Sequence, residues 1–411
     1  MKLINELKDK GIIKGITNIE KLKKINKGDR IYIGFDPTAK SLHLGNYIQI
    51  VMLLRFKKAG YEPLAVLGGA TGMIGDPSGR SSERNLQTQE ELNINKNLIK
   101  KQLEFFGLEV FDNYEFYKNM NIIEFLRDAG KLLNVSYMIN KDVVKSRLDS
   151  GLSFTEFSYQ LIQGWDFKEL YLNKNVKIQC GGSDQWGNIT SGIEIIRKTI
   201  GDDNSAVGII TNLLVDSNGQ KFGKSTSGGA LWLDKEMCSP YKLHQYILNI
   251  PDQDIKKMFS WVTFLSYEKI KEIIELHEKE PFKRIGQTRL SKEIITQIHS
   301  EKDFEIAVKL SNTLFKTQEI NSLNKNDVQQ LEGAIPTIYS NSENIIELLI
   351  ESSICNSNRE VREFIKNKSI NINGITIDIP EQELPIAFKN EYVLIRRGKK
   401  NWFLVKRKNT F

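Results

Sequence analysis

The stretch RIYIGFDPTAKSLHLGN, residues 30–46, decides the fold. It opens with a run of β-branched and aromatic residues suited to a buried strand, and breaks at Gly34 and Asp36-Pro37. Helical periodicity then runs over about 46–59 and stops at Gly60. The same grammar of strand, glycine-rich turn and helix returns. LAVL at 64–67 leads into GGATGMIGDPSG, and VKIQC at 176–180 leads into GGSDQWGN and a helix near 189–198. Strands alternating with helices predict an α/β fold with a parallel sheet and right-handed crossovers. Ligands on such sheets bind beyond the carboxyl ends of the strands, where these turns lie.

Residues 86–172 read mostly as helices inserted between the second and third units, and the pattern after Leu233 is helical to about 323. A polar Asn/Gln/Ser-rich passage at about 317–343 reads as a linker. Beyond it a compact module carries helices near 345–351 and 359–367, then short strands after the Asn373-Gly374 turn. The expected organisation is a parallel-sheet domain at 1–229, which includes the helical insertion and the loop KFGKS. An α-helical domain at 230–323, a linker at 324–343 and a small α+β module at 344–411 follow.

A chain of 411 residues has material for two or three domains. Its apolar and charged fractions are those of a soluble globular protein, and no apolar run approaches the ~18 residues that span a bilayer. The opening MKLINELKDKG is a short amphipathic segment, not a secretion signal, so a cytoplasmic location without membrane association is expected. Cys180, Cys238 and Cys355 are far apart and form no CxxC pair, and the four histidines are scattered. No protein-bound metal or organic cofactor is therefore expected. The net charge is +7, and residues 359–411 hold twelve Lys and Arg against six Asp and Glu, nearly the whole excess. A basic tail on a nearly neutral body suits a polyanionic partner, though a solvated basic surface fits the charge equally.

Three constellations carry chemistry. His43 and Asn46 lie i, i+3 at a helix start, where unpaired N–H groups and the dipole favour phosphate. Thr38 adds a donor, and Gly34 lets a flat ring approach the backbone; helix capping alone would also explain His43 and Asn46. The loop SNGQKFGKSTSGG, residues 217–229, holds two lysines that could close over a triphosphate. It is not a P-loop, because GxxxxGK[ST] would need glycine at Asn218. Tyr159, Gln163 and Asp166 fall at i, i+4, i+7 on one helix face, as a pocket wall or as a solvated face. Asp36, Asp76, Asp184 and Gln185 add polar groups at the strand ends. GGATGMIG lacks the GxGxxG spacing, which speaks against a dinucleotide-dependent oxidoreductase.

Jointly these pieces resemble the tyrosyl-tRNA synthetases of bacteria, a class I aminoacyl-tRNA synthetase family, across essentially the whole chain. The family's His-Ile-Gly-His signature appears as His43-Leu44-Gly45-Asn46, and its Lys-Met-Ser-Lys-Ser signature as Lys221-Phe222-Gly223-Lys224-Ser225. GFDPTAKSLHLGN, GGATGMIGDPSG, FTEFSYQLIQGWDF and GGSDQWGNI, in that order, make the match specific. The resemblance implies a Rossmann-like domain that joins tyrosine to ATP and then loads it onto tRNA(Tyr), with Mg²⁺ arriving on ATP, in a homodimer.

Carried over by position, Tyr32 and Asp166 would bond the substrate phenol oxygen. Asp76, Tyr159 and Gln163 would surround its ammonium, with Asp36, Gln185 and Thr71 completing the pocket. Thr38, His43 and Asn46 would bind the ATP phosphates, and Gly182 and Asp184 the ribose. Lys221 and Lys224, assisted by Ser225, would clamp pyrophosphate. Two departures stand out: Asn46 for the second histidine, and Phe222-Gly223 for Met-Ser. The last module resembles a small RNA-binding domain also found in a ribosomal small-subunit protein. Val361, Phe364 and Ile365 form an apolar stripe there, opposite Arg359, Arg362 and Lys366. Arg396, Arg397, Lys399 and Lys400 form a second basic cluster beside Trp402. The rival readings are a tryptophanyl-tRNA synthetase and an RNA-binding or splicing-assisting protein without catalysis. The pair Tyr32 and Asp166 and the retained lysines argue against them.

Overall fold

The structure, a computed structural model, describes residues 1–78, 87–148, 151–223, 229–315, 320–398 and 401–407. The chain forms two units, one of residues 1–230 and 257–265, the other of 231–256 and 266–411.

The first unit is built on a six-stranded sheet in the order β1-β6-β5-β2-β3-β4. Its strands are β1 (Ile13–Ile16), β2 (Arg30–Phe35), β3 (Glu62–Leu67), β4 (Glu109–Asp112), β5 (Val176–Gly182) and β6 (Val207–Thr211). All neighbours run parallel except β1, which is antiparallel to β6. The three strands expected from sequence, β2, β3 and β5, form the centre. The sequence reading lacked β1 and β4, which have four residues each, too few for a period to emerge, and the short wholly buried β6.

Helix α1 (Leu44–Lys58) follows β2, starting two residues before the expected boundary because His43 caps it. Arg55 on α1 is buried and donates to the carbonyls of Ser260 and Thr263 at 2.6 and 3.0 Å. Those two bonds help tie segment 257–265 to the first unit, although sequence places it in the helical domain. Helix α2 (Phe154–Lys174) packs on α3 (Trp186–Ile200). Their crossing is close: a Cβ on Gly164 would meet Ile195 Cδ1 at 2.8 Å and Gly192 N at 3.2 Å.

The second unit holds helices Pro240–Leu248, Tyr267–Lys279, Ile285–Ile298 and Glu301–Phe315 and a five-stranded sheet ordered β7-β11-β10-β8-β9. Its strands are β7 (Thr337–Tyr339), β8 (Ile370–Ile372), β9 (Ile375–Thr376), β10 (Tyr392–Arg397) and β11 (Asn401–Lys406). Asn373 and Gly374, with φ of 50° and 92°, make the turn between β8 and β9, which the Asn-Gly pair announces.

Alternation along β10 and β11 splits their side chains between two cores. Val393, Ile395 and Val405 pack with Ile345, Leu348, Val361 and Ile365. Tyr392, Leu394, Trp402 and Leu404 pack with Tyr241, Leu310 and Leu314, and the Trp402 indole donates to the Leu314 carbonyl at 2.8 Å. Both faces of the terminal sheet are thus covered. The stretch read as a linker, 324–343, holds a capped helix, Lys325–Gln329, and strand β7, parallel to β11. Its polar composition masked a few anchoring apolar residues, Val328 and Leu331, both fully buried.

Candidate active site

A cavity of about 680 Å³ opens at the carboxyl ends of β2, β3, β5 and β6. Its lining includes every described small-molecule residue expected from sequence: Tyr32, Gly34, Asp36, Thr38, His43, Asn46, Thr71, Asp76, Tyr159, Gln163, Asp166, Gly182, Asp184, Gln185 and Lys221. Lys224 and Ser225 lie outside the described residues.

The inner end of the cavity is a hydrogen-bonded chain. The Asp166 carboxylate is 2% exposed and accepts from Asn113 Nδ2 at 2.9 Å and from the Tyr117 hydroxyl at 2.6 Å. Asn113 also donates to Thr71 Oγ1 at 3.1 Å and accepts from the Ala70 N–H at 2.8 Å. Thr71 donates to Asp36 Oδ1 at 2.9 Å, and the Tyr159 hydroxyl to Asp36 Oδ2 at 3.2 Å. Burial pushes the Asp166 carboxyl up to about 7, against the pull of its two donors. The same burial, with Asp166 alongside, holds the Tyr32 phenol protonated. The Tyr32 hydroxyl is buried without a hydrogen-bond partner. Such an orphan ordinarily costs about 1–3 kcal/mol, so it marks a place where a polar ligand atom would be welcome.

A second cluster lies nearer the mouth. Gln185 Nε2 donates to Asp76 Oδ2 at 2.6 Å, Gln163 Nε2 reaches Gln185 Oε1 at 3.4 Å, and Asp76 Oδ1 accepts the Ser78 N–H at 2.9 Å. The Oε1 atom of Gln163 is also buried and unpartnered. The Asp76 carboxylate and an orphan acceptor suit a small cation such as an α-ammonium.

The start of α1 lines the same cavity. His43 and Asn46 form a reciprocal capping box: His43 Nδ1 accepts the Asn46 N–H at 3.2 Å, and Asn46 Oδ1 accepts the His43 N–H at 3.0 Å. Capping and phosphate binding are therefore compatible roles. A neutral imidazole that accepts at Nδ1 carries its proton on Nε2, so the cap itself presets a donor. Nothing meets a Cβ built on Gly34 within 4 Å, which leaves the backbone open to a flat ring.

Phe222 and Gly223 lie against this turn. Gly223 has φ +88°, and a Cβ on it would fall 2.6 Å from Gly45 N. Glycine in place of the signature's serine at 223 therefore suits this close contact. A small hairpin, with the Phe222 N–H bonded to the Leu214 carbonyl and Lys221 bridged to Val215, brings Lys221 to the cavity. Burial pushes the Cys180 thiol in the wall up to about 12, which disfavours its thiolate.

Asn113, Tyr117 and Gln179 escaped the sequence reading. Asn113 and Tyr117 follow β4, the strand too short to be seen, although its Asp112-Asn113 ending repeats the polar turn after a strand.

In the second unit Arg359, Arg362 and Lys366 are exposed on helix Asn358–Lys366, while Val361 and Ile365 are buried. Arg362 pairs with Glu381 at 2.9 Å. Arg396 lies over the Trp402 ring at 5.5 Å, and Arg397 is spent internally, on the Ile354 carbonyl and the Phe364 and Phe403 rings. Lys399 and Lys400 lie outside the described residues.

Among the described residues no cluster of three potential metal ligands occurs, and no helix is long and apolar enough to cross a membrane. Residues 23–316 match the family of tRNA synthetases class I (W and Y), and residues 327–405 match the SYY-like C-terminal domain of tyrosine–tRNA ligase. A tyrosine–tRNA ligase of Mycoplasmopsis synoviae is 49% identical, covering 98% of this chain and 99% of its own. That of Mycoplasmopsis agalactiae is 47% identical over 99% of this chain and 100% of its own. A C-terminally truncated mitochondrial tyrosyl-tRNA synthetase of Aspergillus nidulans superposes with a TM-score of 0.68 at 27% identity, covering 76% of this chain and 94% of that one.

Proposed function

The chain belongs to the class I tRNA synthetases for tryptophan and tyrosine and is a tyrosine–tRNA ligase, and from this premise we propose which residues do the work. The enzyme joins L-tyrosine to ATP, giving tyrosyl-adenylate and pyrophosphate, and transfers tyrosine to the 3′ end of tRNA(Tyr). The phenol of tyrosine enters the inner end of the cavity, donating to Asp166 and meeting the Tyr32 hydroxyl. The ammonium lies among Asp76, Tyr159, Gln163 and Gln185, with Asp36 behind Tyr159. The observation that carries this reading is the buried Tyr32 hydroxyl without a partner beside a buried carboxylate. A site built to hydrogen-bond a hydroxyl rejects the analogue that lacks it, and this enzyme class is itself the established case.

The tyrosine carboxylate then faces the α1 terminus. It attacks the α-phosphorus, and pyrophosphate leaves with the bonding pair. Charge gathers on phosphate oxygens, so catalysis is positioning plus preorganised donors. Thr38, the His43 Nε2–H, the Asn46 amide and Lys221 supply them, with Lys224 and Ser225 assigned by sequence position. Gly34, Gly182 and Asp184 receive the nucleoside, and Mg²⁺ accompanies ATP. In the second step a terminal ribose hydroxyl of tRNA attacks the activated carbonyl and AMP departs.

Exposed Arg359, Arg362 and Lys366 supply phosphate contacts to tRNA, and Arg396 a lesser one. Arg397 serves chiefly to hold its own module together. A homodimer is supported by apolar exposure on the helical insertion. Ile122, Ile123 and Phe154 are 66%, 69% and 75% exposed, flanking the one cluster on which Phe125 and Phe157 pack. The enzyme works in the cytoplasm, where tRNA and ATP meet. The test is pyrophosphate exchange with tyrosine and phenylalanine in wild type and Asp166→Ala. The variant should lose most of its tyrosine preference; an unchanged preference would overturn the pocket assignment.

A further inference from the structure

We propose that Tyr117 is a positioning residue for substrate selection, its hydroxyl holding Asp166 as the acceptor of the substrate phenol and making the choice of tyrosine over phenylalanine depend on pH. The inference deepens the reading that this cavity binds tyrosine and rests on it.

Asp166 is a carboxylate with little to keep it charged. The groups that face it are Tyr32 on β2, Asn113 and Tyr117 on the turn after β4, Asp36 beyond β2, and Glu169 one turn along α2. The two charged neighbours, Asp36 and Glu169, are anions and raise its pKa further; only the two hydrogen bonds lower it. The Asn113 amide has no other protonation state. Tyr117 is different, because its one proton has two acceptors within reach, Asp166 Oδ1 at 2.6 Å and the Ile162 carbonyl at 2.9 Å. With Asp166 ionised, Tyr117 donates to the carboxylate, leaving its remaining lone pairs to accept from the substrate. When Asp166 takes up a proton, it donates to the Tyr117 oxygen, and Tyr117 turns its proton to the Ile162 carbonyl. Every group stays paired in both arrangements, so protonation carries no penalty of an orphaned atom.

Only the ionised arrangement offers the substrate hydroxyl a pure acceptor. Tyrosine use should therefore fall as pH drops through the Asp166 titration, near 7, while phenylalanine, which brings no hydroxyl, should not respond. The Tyr117 bond is charge-assisted, and so stronger, when Asp166 is ionised; removing the hydroxyl therefore moves the titration upward. Tyr117→Phe keeps the ring that packs edge-on against Phe125.

The experiment measures kcat and KM for tyrosine and for phenylalanine by pyrophosphate exchange between pH 6 and 8.5, in wild type, Tyr117→Phe and Asp166→Ala, with melting temperatures. In wild type the tyrosine-to-phenylalanine ratio of kcat/KM should fall about tenfold per pH unit below the midpoint. In Tyr117→Phe the midpoint should rise, lowering the ratio at pH 7 by about three- to tenfold through KM for tyrosine. A flat wild-type ratio, a variant midpoint equal to that of wild type, or a parallel loss with phenylalanine would each overturn the proposal. If Asp166→Ala keeps the wild-type ratio and its pH dependence, the pocket reading itself fails. If Asp166→Ala loses the ratio while Tyr117→Phe changes nothing, only the role of Tyr117 fails.

Discussion

Gly223 lies against Gly45: a Cβ on the first would come within 2.6 Å of the backbone nitrogen of the second. The two signature segments, far apart in sequence, are thus in direct contact. A side chain at 223 must push the loop off the turn that presents His43, and φ of +88° adds backbone strain. Gly223→Ala should slow adenylate formation at least tenfold while tyrosine affinity, governed at the other end of the cavity, stays within twofold. Single-turnover formation at the wild-type rate would show that this contact is not kept during catalysis.

Asn46 has two roles that substitution can separate. Asn46→Asp keeps the oxygen that caps the His43 N–H and adds a negative charge at a helix start, so the melting temperature should hold or rise. The same charge faces the phosphates, so activation should slow more than in Asn46→Ala. The alanine variant should lose about 1 kcal/mol of stability with the cap. Equal activation rates in the two variants would remove Asn46 from the phosphate site.

Lys221 reaches the cavity from a hairpin rather than from a helix. Lys221→Ala should remove one preorganised donor, worth about 3 kcal/mol of transition-state stabilisation, with KM for tyrosine little changed. Lys224→Ala is expected to match it on the strength of the signature alone. Pre-steady-state adenylate formation within threefold of wild type in both would sink the clamp.

The terminal module is poorly suited to excision. Cutting at 341 would leave β7 without its β11 partner and uncover Leu310 and Leu314, so the remainder should aggregate or melt at a much lower temperature. Exposed cations are the better probe of tRNA binding. Arg359→Ala with Lys366→Ala should leave pyrophosphate exchange intact, weaken tRNA charging, and flatten the salt dependence of tRNA affinity by roughly one unit per cation. An unchanged salt slope would place the tRNA contacts elsewhere.

Phe154 is three-quarters exposed at the first turn of α2. Phe154→Asp should convert a dimer into monomers in sedimentation without loss of helical content. A variant that sediments as wild type would clear this face of any role in assembly.

The sequence alone settled what short-range chemistry can encode. Turns rich in glycine after apolar runs located β2, β3 and β5, and helical spacing put Tyr159, Gln163 and Asp166 on one face, because both follow from local backbone geometry. Every described small-molecule residue named from these turns and this face, or from the family resemblance, lines the same cavity. What lay beyond it depended on packing between distant segments. Asn113 and Tyr117 matter only because β4 lies beside β3 and aims them at a carboxylate about fifty residues further on. Trp402 and Arg397, which sequence offered as part of a basic surface, are committed inward, because β10 and β11 are buried on both faces and each alternate residue finds a core. Polar composition suggested a linker at 324–343, yet a strand there closes the sheet, since pairing to a neighbour is a property of the neighbour as much as of the segment.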